Sequence, residues 1–332
     1  MSNDIKGLIS VIVPTYNSAE YILETIQTIT NQTYDNIEII VVDDGSTDST
    51  EEIVRAIEDS RISYIKQLNS GGPAGPRNLA IKASKGEFIA IFDSDDLMNP
   101  EKLALEFNAL KLTPEAAFVF SNFSIIDNTG KILINDFFST NKVFQMVQKE
   151  TVDPQGNYIF QPGQLVESLF FHNFIATSSI LAHKRIFRDL GPFDESLKNT
   201  DDYDMWFRII PSHSSVCIPK VLHQYRNRDG NISSQGIHKL VDGRTTVLKR
   251  HIKKAKKNET VNHVKRKIAR YQMGAGYYYF QKYELRQAKH YYINSMRFVP
   301  TSIALKYIVS CFFGKNFVRC VRYLKSFKEP TK

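Results

Sequence analysis

The sequence predicts an α/β domain on a mixed, mainly parallel sheet flanked by helices, followed by an all-α region. Three observations carry this. Short β-branched runs recur through the first hundred residues, each followed by a stretch with helical spacing. The runs are continuously apolar rather than alternating, as in strands covered on both faces. From Ile237 onward the pattern is helical almost throughout.

The elements follow in order. Ser10 to Val13 is a strand ended by Pro14, and Asn17 or Ser18 can cap a helix carrying Tyr21, Ile22, Ile26 and Ile29. Ile37 to Val42 is a second strand, with Ser46 and Thr47 as caps for a helix through Ile53 and Ile57. Ile62 to Ile65 is a third strand. The turn GGPAGP leads to a helix around Asn78 to Ala83. Phe88 to Phe92 is a fourth strand, with a helix from about Pro100. Ala117 to Ser121 and Phe123 to Ile126 read as strands before a turn at Asp127 to Gly130. Residues 136–163 show no sustained period and read as a loop or flap facing an acceptor. Leu165 to Phe171, Lys184 to Asp189 and Asp201 to Ile209 read as helices. Beyond Ile237 the punctuation suggests two or three more.

Charge divides the chain in the same place. Residues 1–234 carry a net charge of −11, and residues 235–332 a net charge of +19. The expected division is a catalytic module over 1–234 and a basic helical module over 235–332. The three cysteines, Cys217, Cys311 and Cys320, have neither a disulfide framework nor a zinc spacing, so a reducing cytoplasm is expected. The N-terminus has no signal-peptide pattern, and no run is apolar and long enough to span a bilayer.

In a doubly wound sheet, ligands bind beyond the carboxyl ends of the strands. The polar residues there include Thr15-Tyr16-Asn17, Asp43-Asp44 and Asp93-Ser94-Asp95-Asp96. Carboxylates crowded at a strand end repel one another, and a hard cation such as Mg²⁺ or Mn²⁺ relieves that repulsion. A lone DxD reads better as a solvated, helix-capping turn, so the second acidic pair carries the weight. Asp43 can accept the N–H of a pyrimidine, whereas Asp44 and Asp48 read as capping residues. Asp201 and Asp202 open a helix, where acidic residues are favoured, and either is a candidate base. In YRNRDGNISS, from Tyr225 to Ser234, two arginines suit bidentate phosphate contact.

Together these motifs resemble the family 2 glycosyltransferases with the GT-A fold. The resemblance rests on SVIVPTYN from Ser10, VDDGSTD from Val42, Gly72 to Asn78, Asp93 to Asp96, Phe193 to Glu195, Asp201 to Asp204 and Tyr225-Arg226. It covers residues 8 to about 234. It implies that Pro14, Tyr16 and Asn17 line a nucleotide pocket and that Asp43 contacts the base. Arg77 would lie near the base or phosphates. Asp93 would meet the ribose or the metal's water shell, with Ser94 in the same donor site. Asp95 would ligate Mn²⁺ or Mg²⁺, and Asp93 is the second candidate ligand. Arg226 would approach the diphosphate, and Asp202 matches the catalytic base. Two positions depart from the family pattern. Asp201 stands where glutamate is usual, leaving either aspartate as base. Arg228 stands where a histidine near the metal is frequent, and could neutralise the leaving diphosphate.

The implied activity is inverting transfer from a nucleotide-diphosphate sugar, a UDP-sugar by family frequency. The implied acceptor is a glycan or lipid-linked glycan hydroxyl in bacterial surface-polysaccharide or glycolipid assembly. Two enzyme or binding alternatives compete with it. A nucleotidyltransferase would use the same nucleotide and metal parts but has no need for Asp201-Asp202. An inactive binding subunit would not need Asp43, Asp95 and Asp202 together. A dinucleotide-dependent oxidoreductase lacks its G-x-G-x-x-G turn, since the first strand ends in PTYNSAE. From Tyr307 to Phe327, apolar residues interleave with lysines and arginines. That pattern suits either an anionic membrane surface on the inner face of the cytoplasmic membrane or packing as a helical bundle. No nucleic-acid motif accompanies the basic charge.

Overall fold

The computed structural model describes residues 4–149, 151–228, 231 and 236–314. They fall into two units, Met1–Ser234 and Gln235–Lys332.

The first unit is built on the predicted strands. β1 (Ile5–Thr15) lies between β2 (Ile37–Asp43) and β4 (Gly86–Ile91), and β3 (Ile62–Lys66) lies outside β2, all in parallel register. The helices between them are α1 (Ile22–Thr30), α2 (Thr50–Arg55) and α3 (Ala74–Ala83). β1 from Leu8 onward and most of β2 are buried, which explains their mainly apolar runs. The core between sheet and helices is Ile9, Val11, Val13, Ile22, Ile26, Ile39, Val41 and their neighbours.

Beyond β4 the sheet changes character. After the two-residue strand β5 (Leu97–Met98) and α4 (Lys102–Leu112) comes β6 (Ala116–Ile126), one continuous strand where the sequence suggested two. The turn after it leads to β7 (Ile132–Ile134), which pairs back on β6. Later strands are β10 (Ile180–His183) and β11 (Ser214–Arg226). β10 enters antiparallel between β4 and β6, and β6 then runs parallel to β11. The result is the expected mixed α/β architecture, with its consecutive parallel strands on the β1 side.

Residues 136–163 are not the plain flap expected from the sequence. They form α5 (Phe137–Thr140), α6 (Lys142–Gln145), β8 (Thr151–Val152) and β9 (Tyr158–Phe160). β9 pairs with β11. Isolated aromatics hold the segment down: Phe138 and Phe160 pack on Phe120, and Phe144 stacks on Phe138 at 3.9 Å. Burying such a ring is worth about 1.5–3 kcal/mol. Asp136 and Asn141 cap the two short helices by accepting the amides of Ser139 and Phe144. Elements this short show no period, so the sequence pattern could not announce them. α7 (Val166–Phe171), α8 (Arg185–Asp189) and α9 (Asp201–Ile209) fall where expected.

Capping differs from expectation at two helices. α1 has no side-chain cap; the carbonyl of Ser18 accepts the amides of Tyr21 and Ile22. At α2, Asp48 rather than Ser46 or Thr47 receives the Thr50 amide.

The second unit contains α10 (Ile237–His251), α11 (Asn258–Gln281), α12 (Leu285–Phe298) and α13 (Ser302–Phe312), one more helix than the upper expectation. Phe280, Ala288 and Tyr292 form a small aromatic core with Tyr307 and Ile308. Among the described residues no helix is long and apolar enough to cross a membrane. Residues 315–332, over which the basic amphipathic pattern continues, lie outside the described residues, as does Cys320.

Candidate active site

The residues singled out from sequence converge on the carboxyl ends of β1, β2, β4 and β11 and on the start of α9. Thr15 aligns with Asp43 across the first strand pair. Pro14 is buried in β1, while Tyr16 and Asn17 are exposed just beyond it, with Tyr16 49% accessible. Asn17 sits at φ +48°, a conformation that Asn tolerates better than most residues. Its amide donates to Ser46 Oγ at 2.8 Å, and its Oδ1 accepts the Thr47 amide at 2.8 Å. The β1 and β2 loops are thereby fastened together.

Asp43 is buried at the end of β2. One oxygen accepts the Ser46 amide at 2.7 Å, and the other accepts the Tyr64 hydroxyl at 2.5 Å. Gly45, at φ +78°, makes the turn between them, and a Cβ there would meet the Asn69 amide nitrogen at 3.0 Å. Asp44 ties down the loop after β3 through Ser70 and Gln67, so it is a loop anchor and not a helix cap.

The DSDD turn follows β4. Ser94 is buried with its hydroxyl 2.8 Å from that of Ser18. Asp93 has its amide on Ser178 Oγ, just before β10. Asp95 Oδ2 meets Arg228 Nε at 2.7 Å. Asp96 is fully buried and accepts the Arg226 amide at 2.9 Å. Burial, followed by the charges of its two neighbours, holds the Asp96 carboxyl well above the ordinary range. Burial also raises Asp95, aided by Asp93 and opposed by Arg228.

Arg77 organises the centre. Its guanidinium is buried and joins Asp201 Oδ2 at 2.7 Å to Asp93 Oδ1 at 2.9 Å. Burial alone would pull its pKa down, but Asp201 and Asp93 outweigh it and hold the pKa above the usual arginine value. The next residue, Asn78, exchanges hydrogen bonds with the backbone of Phe193 at 2.9 Å each. Gly72 lets the turn before α3 press on Lys198, whose Cα a Cβ would meet at 3.0 Å. The motif from Gly72 to Asn78 is thus a dock for the segment leading into α9.

Asp202 stands apart from its neighbour. Asp201 is buried on Arg77, whereas Asp202 keeps partial solvent access and accepts Asn173 Nδ2 at 3.1 Å. Burial, then the charge of Asp201, pushes the Asp202 carboxyl up to about 6, against the pull of Arg77. Burial raises Asp201 as well, opposed by Arg77. A carboxylate with the Asp202 value is ionised at neutral pH and more basic than usual, which suits proton abstraction.

The two arginines at the end of β11 share Tyr21. Their guanidinium carbons lie 5.0 and 4.9 Å from its ring centre. Arg226 is buried, pairs with Glu24 at 2.7 Å and donates to the Asp95 carbonyl at 2.8 Å. Of the YRNRDGNISS segment, residues 229–230 and 232–234 lie outside the described residues.

Asp93 and Asp95 are the side chains of the acidic turn that could hold a divalent cation. Arg77 engages Asp93 Oδ1 and Arg228 engages Asp95 Oδ2, so each carboxylate has a second oxygen outside those ion pairs. Among the described residues no three His, Cys, Asp or Glu side chains form a ready cage. One or two carboxylates completed by phosphate oxygens and water is the usual arrangement for Mg²⁺.

Sequence reasoning missed Tyr64, Asn173 and Ser178, and it did not assign Glu24 or Tyr21 to the site. They lie outside any motif and reach the site only through tertiary contacts.

Residues 10–175 match the model of Glycosyl transferase family 2. The chain is 35% identical over 72% of its length to an uncharacterised glycosyltransferase of Rickettsia typhi, covering 70% of that protein. It is 30% identical over 70% of its length to WfaP of Escherichia coli, named as a UDP-Glc:alpha-D-GlcNAc-diphosphoundecaprenol beta-1,3-glucosyltransferase, covering 83% of that protein. The crystal structure of S. aureus TarS 1–349 in complex with UDP-GlcNAc superposes with a TM-score of 0.59 at 22% identity, spanning 88% of this chain and 81% of that one. The fold is therefore the GT-A fold. The chain belongs to glycosyltransferase family 2.

Proposed function

We propose that this protein is an inverting, cation-assisted glycosyltransferase that moves a sugar from a UDP-sugar to a hydroxyl of a glycan or lipid-linked glycan. The observation that carries the proposal is Asp202, a mostly buried carboxylate raised to about 6 and held by Asn173, one residue from the Asp201–Arg77–Asp93 bridge. The bridge ties an acceptor-side base to the donor-side acidic turn. The names of WfaP and TarS, one a UDP-glucose enzyme and the other bound to UDP-GlcNAc, support UDP as the nucleotide. WfaP, named for a diphosphoundecaprenol-linked acceptor, also supports a lipid-linked acceptor, and with it glycolipid assembly in bacteria.

In this reading Asp43 receives the base and exposed Tyr16 covers it, while Pro14 and Asn17 shape the pocket wall. Asp95, with Asp93, would hold Mn²⁺ or Mg²⁺, which would supply charge neutralisation for the diphosphate. Arg228 leaves Asp95 to meet the diphosphate, and Arg226 stays fixed by Glu24 and orients it. Asp202 takes the acceptor proton as the hydroxyl attacks the anomeric carbon from the face opposite the leaving group. Asp201 stays neutralised by Arg77 and is not the base.

A panel of nucleotide sugars with Mn²⁺ tests the proposal, scoring nucleoside diphosphate release and the anomeric configuration of the product by NMR. Release with inversion, dependent on an acceptor, is expected. Retention would overturn the single displacement, and pyrophosphate release would assign the site to nucleotidyl transfer.

A further inference from the structure

The last described helix is apolar on two faces. α13 turns Ala304, Tyr307, Ile308 and Cys311 inward, where Tyr307, Ile308 and Cys311 join the core of Phe280, Ala288 and Tyr292. Leu305, Val309 and Phe312 follow at helical spacing on the second face, 53%, 45% and 70% exposed. Outside its packed face a surface helix is expected to be polar, as α13 is at Ser302 and Lys306 but not along this strip.

The charge around the strip selects its partner. Residues 235–332 have a net charge of +19. Lys306 is exposed beside Leu305, and the Lys289 amine lies 4.4 Å from the centre of the Phe312 ring. A protein partner would bury the strip but leave the positive charge without a use. A polyanion would use the charge but has no place for leucine, valine and phenylalanine. A lipid surface with anionic headgroups accepts both, the apolar side chains at the acyl boundary and the ammonium groups at the phosphates.

We propose that the Leu305–Val309–Phe312 strip of α13, with Lys289 and Lys306 beside it, docks this protein on an anionic lipid bilayer. The docking is independent of the catalytic reading, although a lipid-linked acceptor would be presented at the same surface.

The test uses the full chain and co-sedimentation with two kinds of vesicle, phosphatidylcholine alone and phosphatidylcholine mixed with phosphatidylglycerol. Wild type is expected to pellet with the mixed vesicles and to be released by high salt. Val309→Glu and Phe312→Glu alter exposed positions and should weaken binding about tenfold or more. Leu68→Glu, at a 93% exposed leucine of the other unit, should bind as wild type. Melting temperatures of all variants verify folding. Wild type remaining in the supernatant overturns the proposal, as does vesicle binding by the glutamate variants equal to wild type. Sedimentation velocity without vesicles supplies the third outcome: a wild-type dimer that the variants dissolve would assign the strip to a second copy instead. Nucleoside diphosphate release with a soluble acceptor, measured on the same preparations, reports separately on the catalytic reading.

Discussion

Replacing Asp202 with asparagine should destroy activity and stabilise the protein at the same time. The rise of the carboxyl from 3.8 to about 6 comes from burial and from Asp201. It means that the folded state holds the proton more tightly than the unfolded chain does. The resulting penalty is absent below the unfolded value, grows as pH rises toward 6, and is complete above it. The full rise corresponds to about 3 kcal/mol. Solvent access and sharing with Asp201 reduce the expected net to about 1–2 kcal/mol. Asparagine keeps the shape and can still bond Asn173 but carries no charge. At pH 7.5 the variant should melt about 2–8 °C above wild type. The gap should close near pH 4, where wild-type Asp202 is protonated. Turnover should fall by about 10² to 10⁴, the usual contribution of a positioned base. Thermal unfolding at both pH values, with nucleoside diphosphate release at pH 7.5, measures all three quantities. A variant that melts at or below wild type at pH 7.5, or that turns over normally, would refute the reasoning.

Three further outcomes are expected. The acid limb of kcat/KM should turn near pH 6, reporting the Asp201–Asp202 pair; activity flat from pH 5 to 7 would remove Asp202 from the chemistry. Arg77→Ala leaves Asp201 buried without its partner and should cost about 3–5 kcal/mol in denaturant unfolding, so an inactive variant of full stability would mean that Arg77 acts on substrate instead. Arg228→Ala frees Asp95 and should tighten Mn²⁺ binding without nucleotide by about tenfold in calorimetry, whereas Asp95→Asn should abolish it; unchanged Mn²⁺ affinity in Arg228→Ala would show that the ion pair does not compete with the cation.

The sequence disclosed strands that are buried on both faces, because β1, β2 and β4 are mainly apolar, interrupted only by Lys6, Ser10, Glu38 and Glu87 before their carboxyl ends. It placed Asp43, the DSDD turn and the Asp201-Asp202 pair at element ends, where the local pattern changes abruptly. It did not disclose the antiparallel entry of β10, since four residues, Ile180 to His183, look alike in either direction. Nor could it show that Arg77 is spent on two carboxylates, 16 and 124 residues away. Asn173 and Tyr64 gave no sign, because a single amide or hydroxyl becomes informative only when folding sets it against Asp202 or Asp43. The short elements between 136 and 163 were hidden for another reason: three buried phenylalanines anchor them, and three points do not make a period.

Asp96 turns these local contacts into a mechanical constraint. Its carboxylate holds the backbone amide of Arg226, and the side chain of Arg226 in turn holds the backbone of Asp95. β5, the two residues after Asp96, pairs with β11 just upstream of Arg226. The acidic turn and the arginine strand are laced at three places, so one cannot slide without dragging the other. Exposed residues such as Tyr16 can be exchanged one at a time without disturbing this lacing. The spacing between the carboxylates and Arg226 has no such freedom, and an insertion between Asp95 and Leu97 or within β11 would have to be matched on the opposite strand.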